Sequence, residues 1–537
     1  MCNFAAHLQN GGTEPIRTKY SPMNKKLPLG IQDFESLRED GYLYVDKTKS
    51  LYDMVSSGRY FSLSRPRRFG KSLMLTTLKA YFEGKRELFH GLYVDSVETE
   101  WASYPILHLD LNAENYDSVE KLQQKLDAQL RVWENKYPTD FESYSPGIRF
   151  EQVIERAYHV TGRRVVILVD EYDKPMLQAI GNTKLQEAFR KTLKGFYGAL
   201  KSKDACIKFA FLTGITKFAK VSIFSDLNNL NDISMDRQFH DICGITEKEL
   251  IENFQEHIDK LAEACGINRE ACVEKLRQRY DGYHFHPKLQ GIYNPYSVIK
   301  TFFKKEFGSY WFETGTPTYL VELLRRHDYN LNLMEHSSVE SDILNSVDSE
   351  SANPIPIIYQ SGYLTIKGYD ERFKRYKLGF PNDEVEEGFV QYLAPFYLSR
   401  RGRTTSFDIS KFIIEVEEGE VDKFCQRLKA LFADTPYELV KDLENHYQNI
   451  VWVMFKLMGF YVDAEYRTSD GRIDLLLRTQ KYCYIIEFKL DGTAEEALQQ
   501  IEDKAYALPF ELDGQRIFRI GMNFSSETRN IERYIIR

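Results

Sequence analysis

A chain of 537 residues divides, at roughly 150 residues per domain, into about three or four domains. Hydrophobic residues at 43% and charged residues at 28% exclude a largely disordered chain, and 35 Tyr with 35 Phe supply apolar bulk for several cores. The 71 Lys plus Arg against 79 Asp plus Glu leave a net charge of -8, which excludes a broad basic coat for nucleic acid. Any nucleic-acid contact must therefore be local.

Seven cysteines, with no CxxC pair, argue against a disulfide framework and a structural zinc site. The start, MCNFAAHLQNGG, lacks the basic and apolar runs of a signal peptide. The longest apolar stretch, Ile450 to Val462, is interrupted by Lys456 and is too short to span a bilayer. The expectation is a soluble, cytoplasmic protein with no membrane partner.

Residues 1–26 read as a polar leader. From Leu27 to about residue 244, short strands alternate with amphipathic helices, the pattern of an α/β domain with a parallel sheet. Its apolar runs Tyr60–Leu63, Val165–Val169 and Ile207–Leu212 suit strands covered on both faces. Residues 245–390 read as mostly helical, 391–432 as a helical connector, and 433–537 as a separate small α/β unit.

The stretch RYFSLSRPRRFGKSLMLTTLKAYF at 59–82 runs from a strand through a loop into a helix opened by Gly70-Lys71-Ser72. Free amides at a helix start can receive phosphate, Lys71 can reach the β- and γ-phosphates of ATP, and Ser72 can ligate Mg²⁺. The consensus phosphate loop has a glycine five positions before Gly70; here that residue is Arg65. A basic helix start with a solvated lysine is the plainer alternative.

Val165-Val-Ile-Leu-Val-Asp-Glu, about a hundred residues on, is a buried strand ending in two acids. Asp170 is expected to hold Mg²⁺, and Glu171 to polarise the attacking water. Thr213 or Thr216, after a third strand, could sense the γ-phosphate or simply cap a turn. Arg67 and Arg68 add positive charge beside the phosphates.

A second constellation lies in EYRTSDGRIDLLLRTQKYCYIIEFKL from Glu465. Asp474 and Glu487 are equidistant from a turn near Gln480, so antiparallel pairing would set them face to face, about 5 Å apart at Cβ. Glu487 and Lys489, two residues apart, share a face. Two acids and an ammonium on one sheet face can bind Mg²⁺ through Asp474 and Glu487, with Lys489 orienting water or stabilising phosphate charge. A solvated charge pair is the alternative, disfavoured by apolar Ile485, Ile486 and Phe488. Glu444 could add a carboxylate, and Gln499 or Gln500 could touch the site.

Together with LPLGIQDFESLREDGYLYVDKT, LVDEYDKP, FLTGITKFAKVSIFSDLNNLNDIS, YDGYHF, YNPYSV, WFETGTPTYL and YQSGYLTI, these motifs resemble the bacterial AAA-ATPase-like family, commonly fused to a PD-(D/E)XK nuclease-superfamily domain. The resemblance implies a P-loop AAA-like ATPase core with a helical lid, then a small α/β nuclease-type domain. It implies a nucleotide loop at Gly70, Lys71 and Ser72, Walker B acids Asp170 and Glu171, and a D…ExK site at Asp474, Glu487 and Lys489. The expected activity is ATP binding and hydrolysis coupled to Mg²⁺-dependent cleavage of nucleic acid, with DNA the expected substrate. The alternative is a nucleotide-gated switch or DNA- or protein-binding module that cleaves nothing. A homo-oligomer is left open.

Overall fold

Strands that are apolar on both faces need helices on both sides, and the first unit has this three-layer form. The computed structural model describes residues 25–138, 144–217, 229–312, 320, 323–324, 329–335, 337–345, 353–398, 409–433, 443–459, 463–466 and 475–537. Strands β1 (Tyr60–Ser64), β2 (Ile106–Asp110), β3 (Val165–Asp170), β4 (Ile207–Gly214) and β5 (Asn231–Asp232) stand in the order β2-β3-β4-β1-β5, all pairs parallel. Val166, Leu168 and Phe211 pack on one side with helix α1 (Lys71–Phe82). Val165, Ile167 and Leu212 pack on the other with α2 (Val119–Lys136), α3 (Pro146–Thr161) and α4 (Thr183–Tyr197). The alternation along each strand is the two-residue period of a pleated sheet.

Parallel register sets the carboxyl ends of β1, β3 and β4 along one edge, where Ser64 pairs with Gly214 and Asp110 with Asp170. Ligands of open parallel sheets bind at such edges.

The following stretch is helical as far as helix α5 (Pro295–Lys304), whose start is capped by the Asn294 side chain. It also holds a three-stranded antiparallel sheet, β6 (Ser338–Glu340), β7 (Thr365–Asp370) and β8 (Arg375–Gly379), in the order β6-β8-β7. The sequence reading saw no strands here, because β7 and β8 carry exposed Lys367 and Lys377 and half-exposed Arg375 and present no apolar run.

Helix α6 (Asp383–Tyr397) joins the units. Its Glu384 carboxylate accepts from the Trp311 backbone N–H at 2.8 Å, and Glu386 pairs at 2.7 Å with Lys456 of α7 (Leu443–Gly459). Leu63, Phe69, Trp311, Phe389, Trp452 and Ile486 belong to one continuous apolar core.

The C-terminal unit is a five-stranded mixed sheet: β9 (Asp463–Tyr466), β10 (Leu475–Arg478), β11 (Tyr482–Leu490), β12 (Arg516–Ser525) and β13 (Asn530–Ile536), in the order β13-β12-β11-β10-β9. β10 and β11 pair as read from the sequence, Leu475 with Ile486 and Arg478 with Cys483, around the turn at Gln480. β11 and β12 run parallel, connected through α8 (Ala494–Asp503).

Candidate nucleotide and nuclease sites

Gly70 takes a left-handed conformation (φ 94°) at the entry to α1, which costs a glycine nothing and lets the helix start directly off the loop. The first-turn amides of α1 lack carbonyls four residues back within the helix and so remain available as donors. Lys71 follows, only 4% exposed. Its Nζ donates to the Arg65 and Pro66 carbonyls at 3.1 and 3.3 Å and lies 3.4 Å from the Glu171 carboxylate.

Ser72 Oγ donates to Asp170 Oδ2 at 2.6 Å, and Thr213 Oγ1 donates to Asp170 Oδ1 at 2.6 Å. One carboxylate thus gathers the hydroxyls from α1 and from the end of β4. A serine hydroxyl beside a carboxylate is a hard oxygen donor set that suits Mg²⁺. Bound there, Mg²⁺ would supply charge neutralisation for β- and γ-phosphate oxygens.

Glu171 has φ 53°, a sparsely populated conformation for a side-chain-bearing residue. Burial pushes its carboxyl up to about 7, against the opposing pull of Lys71. Arg68 also has positive φ, at 67°, and its guanidinium lies 5.0 Å from the Tyr296 ring centre. Arg67 donates to the Tyr363 hydroxyl at 3.2 Å, and the Trp311 indole N–H donates to the Arg67 carbonyl at 3.1 Å. A cleft of about 590 Å³ is lined by Arg67, Arg68, Lys71, Ser72, Glu171 and Lys174. Asp170 and Thr213 sit behind Ser72 rather than in that lining.

Thr216 faces away from this cluster: its hydroxyl and N–H both donate to Asp173 Oδ2 at 2.6 Å. It therefore fits the turn-holding reading rather than the phosphate-sensing one. Asp173, fully buried, also accepts from the Ile215 N–H, and so orders the loop after Thr213. The sequence reading passed over Asp173, Asn112, Lys174 and Tyr296. The only hint was LVDEYDKP, where a third acid follows the two at the strand end.

In the C-terminal sheet Glu487 is 2% exposed, with Lys489 Nζ 3.8 Å from its Oε1. Gln500 of α8 bridges them: its Oε1 accepts from Lys489 at 2.5 Å and its Nε2 donates to Glu487 Oε1. Gln499 instead donates to Asp503 along the outer face of α8. Asp474 lies outside the described residues, as does the side chain of Glu444 in α7. Glu487 provides a hard oxygen donor for a divalent ion, with an ammonium held beside it.

Gly521 makes this closeness possible. It pairs with Glu487, and a Cβ there would sit 2.2 Å from the Ala494 carbonyl and 2.6 Å from the Leu498 nitrogen. Gly521→Ala is expected to destabilise the protein by about 2 kcal/mol, the usual cost of overpacking against backbone. A lowered urea midpoint reads this; an unchanged midpoint would show that α8 lifts from the sheet at no cost.

No described helix is long and apolar enough to cross a membrane, and no group of three or more metal-binding side chains occurs among the described residues.

The family model described as predicted AAA-ATPase matches residues 28–224, and that of the PD-(D/E)XK nuclease superfamily matches 442–534. An uncharacterized protein in the vnfD 5' region of Azotobacter chroococcum mcd 1 is 34% identical over 527 residues, covering 95% of this chain and 99% of its own. The solved structure of the Aeropyrum pernix ORC2 protein (ADPNP-ADP complexes) aligns with 65% of this chain and 93% of its own at 10% identity. Its TM-score of 0.25 is too low to support an argument from superposition. By these matches, in the same order along the polypeptide as the parallel and the mixed five-stranded sheets, the chain belongs to the AAA-ATPase-like family and carries a PD-(D/E)XK nuclease-superfamily domain at its C-terminal end.

Proposed function

We propose that the protein binds and hydrolyses ATP with Mg²⁺ at the edge of its parallel sheet, and that this controls a Mg²⁺-dependent cleavage of phosphodiester bonds, with DNA as substrate, in the C-terminal sheet. The observation that carries the reading is the meeting of Thr213 and Asp170 with Ser72, and of Lys71 with Glu171, where Lys71, Ser72 and Glu171 line one cleft. Lys71 and the first-turn amides of α1 would hold phosphate, and Ser72 with Asp170 would hold the ion. Glu171 would orient the attacking water and draw its proton.

In the second site Asp474 and Glu487 would hold the metal. Lys489, kept in place by Gln500, would stabilise charge on the phosphate under attack. Helix α6, tied to Trp311 through Glu384 and to α7 through Glu386, provides the connection between the two sites.

The test uses the full chain with ATP, Mg²⁺ and supercoiled plasmid, following phosphate release and nicking together. Both are expected, and EDTA should stop both. Phosphate release with no cleavage of any DNA or RNA would leave a nucleotide-gated binding module; absence of both would remove the proposal.

A further inference from the structure

The residue in place of the expected glycine is the most deeply buried cation among the described residues of the ATPase unit. Arg65 is 1% exposed. Its Nη1 donates to the Ser64 carbonyl at 3.1 Å and the Ser234 carbonyl at 2.7 Å. Its Nη2 donates to the Phe239 and His240 carbonyls at 3.1 and 3.4 Å. The guanidinium lies 3.8 Å from the centre of the Phe285 ring, in the YDGYHF turn of the helical region. No carboxylate comes within ion-pair distance of it among the described residues.

The main chain of Arg65 is equally committed. Its N–H donates to the Gly214 carbonyl at 3.1 Å, one residue beyond Thr213, and its carbonyl receives Lys71 Nζ. The next residue, Pro66, gives Lys71 its second carbonyl. Phe69, at the far end of the loop, packs edge-on against both Tyr283 and Phe285. The loop is thus pinned at both ends to one aromatic turn.

Burying a guanidinium with no counter-ion is expensive, so carbonyls and a ring face would not be enough to retain it for packing alone. Placed under a loop that ends in a second buried cation, it does two things. It fixes the loop shape that aims Lys71, and it ties that loop to the 234–240 segment and the Phe285 turn.

We propose that Arg65 is a positioning residue of the nucleotide site. Its guanidinium is the strut that holds the Arg65–Pro66 carbonyls on Lys71 and ties the loop to the 234–240 segment and the Phe285 turn. A side chain here performs what glycine backbone freedom performs in the consensus loop, and the loop is thereby keyed to the helical region. The inference rests on the ATP reading of the cleft.

The test compares wild type, Arg65→Ala and Arg65→Lys in the full chain. ATP affinity, steady-state hydrolysis and amide hydrogen exchange of the 64–73 peptide without nucleotide are measured. Arg65→Ala is expected to weaken ATP binding tenfold or more, raising KM with kcat largely kept, and to speed exchange in the loop. Methylguanidinium should restore both properties, whereas methylammonium should not. Arg65→Lys should stay impaired, because one ammonium cannot reach the carbonyls of Ser234 and Phe239 together; it carries the test if Arg65→Ala does not fold. A folded variant with wild-type affinity and loop protection overturns the strut, as does a loss that methylguanidinium leaves untouched. If wild type binds no nucleotide, the reading of the cleft fails, while the exchange measurement still decides the strut.

Discussion

Lys71→Ala is expected to weaken ATP binding about 100-fold, whereas Glu171→Gln keeps wild-type affinity and loses turnover by a factor of about 10² to 10⁴. The first figure follows from the contacts a lysine makes. Hydrogen bonds to charged groups are worth about 1.5–3 kcal/mol each. Losing two phosphate contacts while the first-turn amides of α1 remain removes about 3 kcal/mol, or roughly two decades of Kd. Without nucleotide, Lys71 donates to the Arg65 and Pro66 carbonyls.

The alanine variant also strips those carbonyls of their donor, so a melting curve must accompany the titration. Glu171→Gln retains size and the unusual φ of 53° while removing the base. Calorimetric titration of ATP into both variants separates the roles. Equal affinity for wild type and Lys71→Ala would place the triphosphate elsewhere, and undiminished hydrolysis by Glu171→Gln would remove it as the base.

What could be read from the sequence is what local chain geometry demands. Gly70-Lys71-Ser72 stand together because a loop turns there into one helix start, and the β10–β11 register followed from a tight turn at Gln480. The acids of β3 were visible because an apolar run that ends in charge is conspicuous. The residues that were hidden act across long separations. Trp311 reaches the Arg67 carbonyl over 244 positions, and Gly521, opposite Glu487, is what lets α8 settle on the sheet; of Gln499 and Gln500, both named from the sequence, Gln500 is the one that reaches Glu487.

The two threonines make the same point. Thr213 and Thr216 are indistinguishable as letters, and only the carboxylate each one meets, Asp170 or Asp173, separates them. General burial tendency places the aromatics of YDGYHF and WFETG in the core. Tyr283 and Trp311 are buried and Phe285 partly so, and all three pack around the 65–69 loop.

In the C-terminal sheet, Glu487→Gln and Lys489→Ala are each expected to lower DNA cleavage at least 100-fold, leaving ATP hydrolysis within about twofold of wild type. Gln500→Ala should lie between, about tenfold down, a loss of about 1.4 kcal/mol in transition-state stabilisation. The ranking comes from what each change leaves behind. Glutamine at 487 keeps the shape but not the charge that would hold a divalent ion, and alanine at 489 removes the ammonium outright. Without Gln500, Lys489 and Glu487 both persist, 3.8 Å apart, but nothing fixes the ammonium, whose side chain is about a third exposed. Raising Mg²⁺ should recover part of the Glu487→Gln loss if the defect is in ion binding, and none of the Lys489→Ala loss. Plasmid nicking at several Mg²⁺ concentrations distinguishes these patterns. Three variants that nick at the wild-type rate would mean that the Glu487, Lys489 and Gln500 cluster merely joins α8 to β11, and that any cutting centre lies elsewhere.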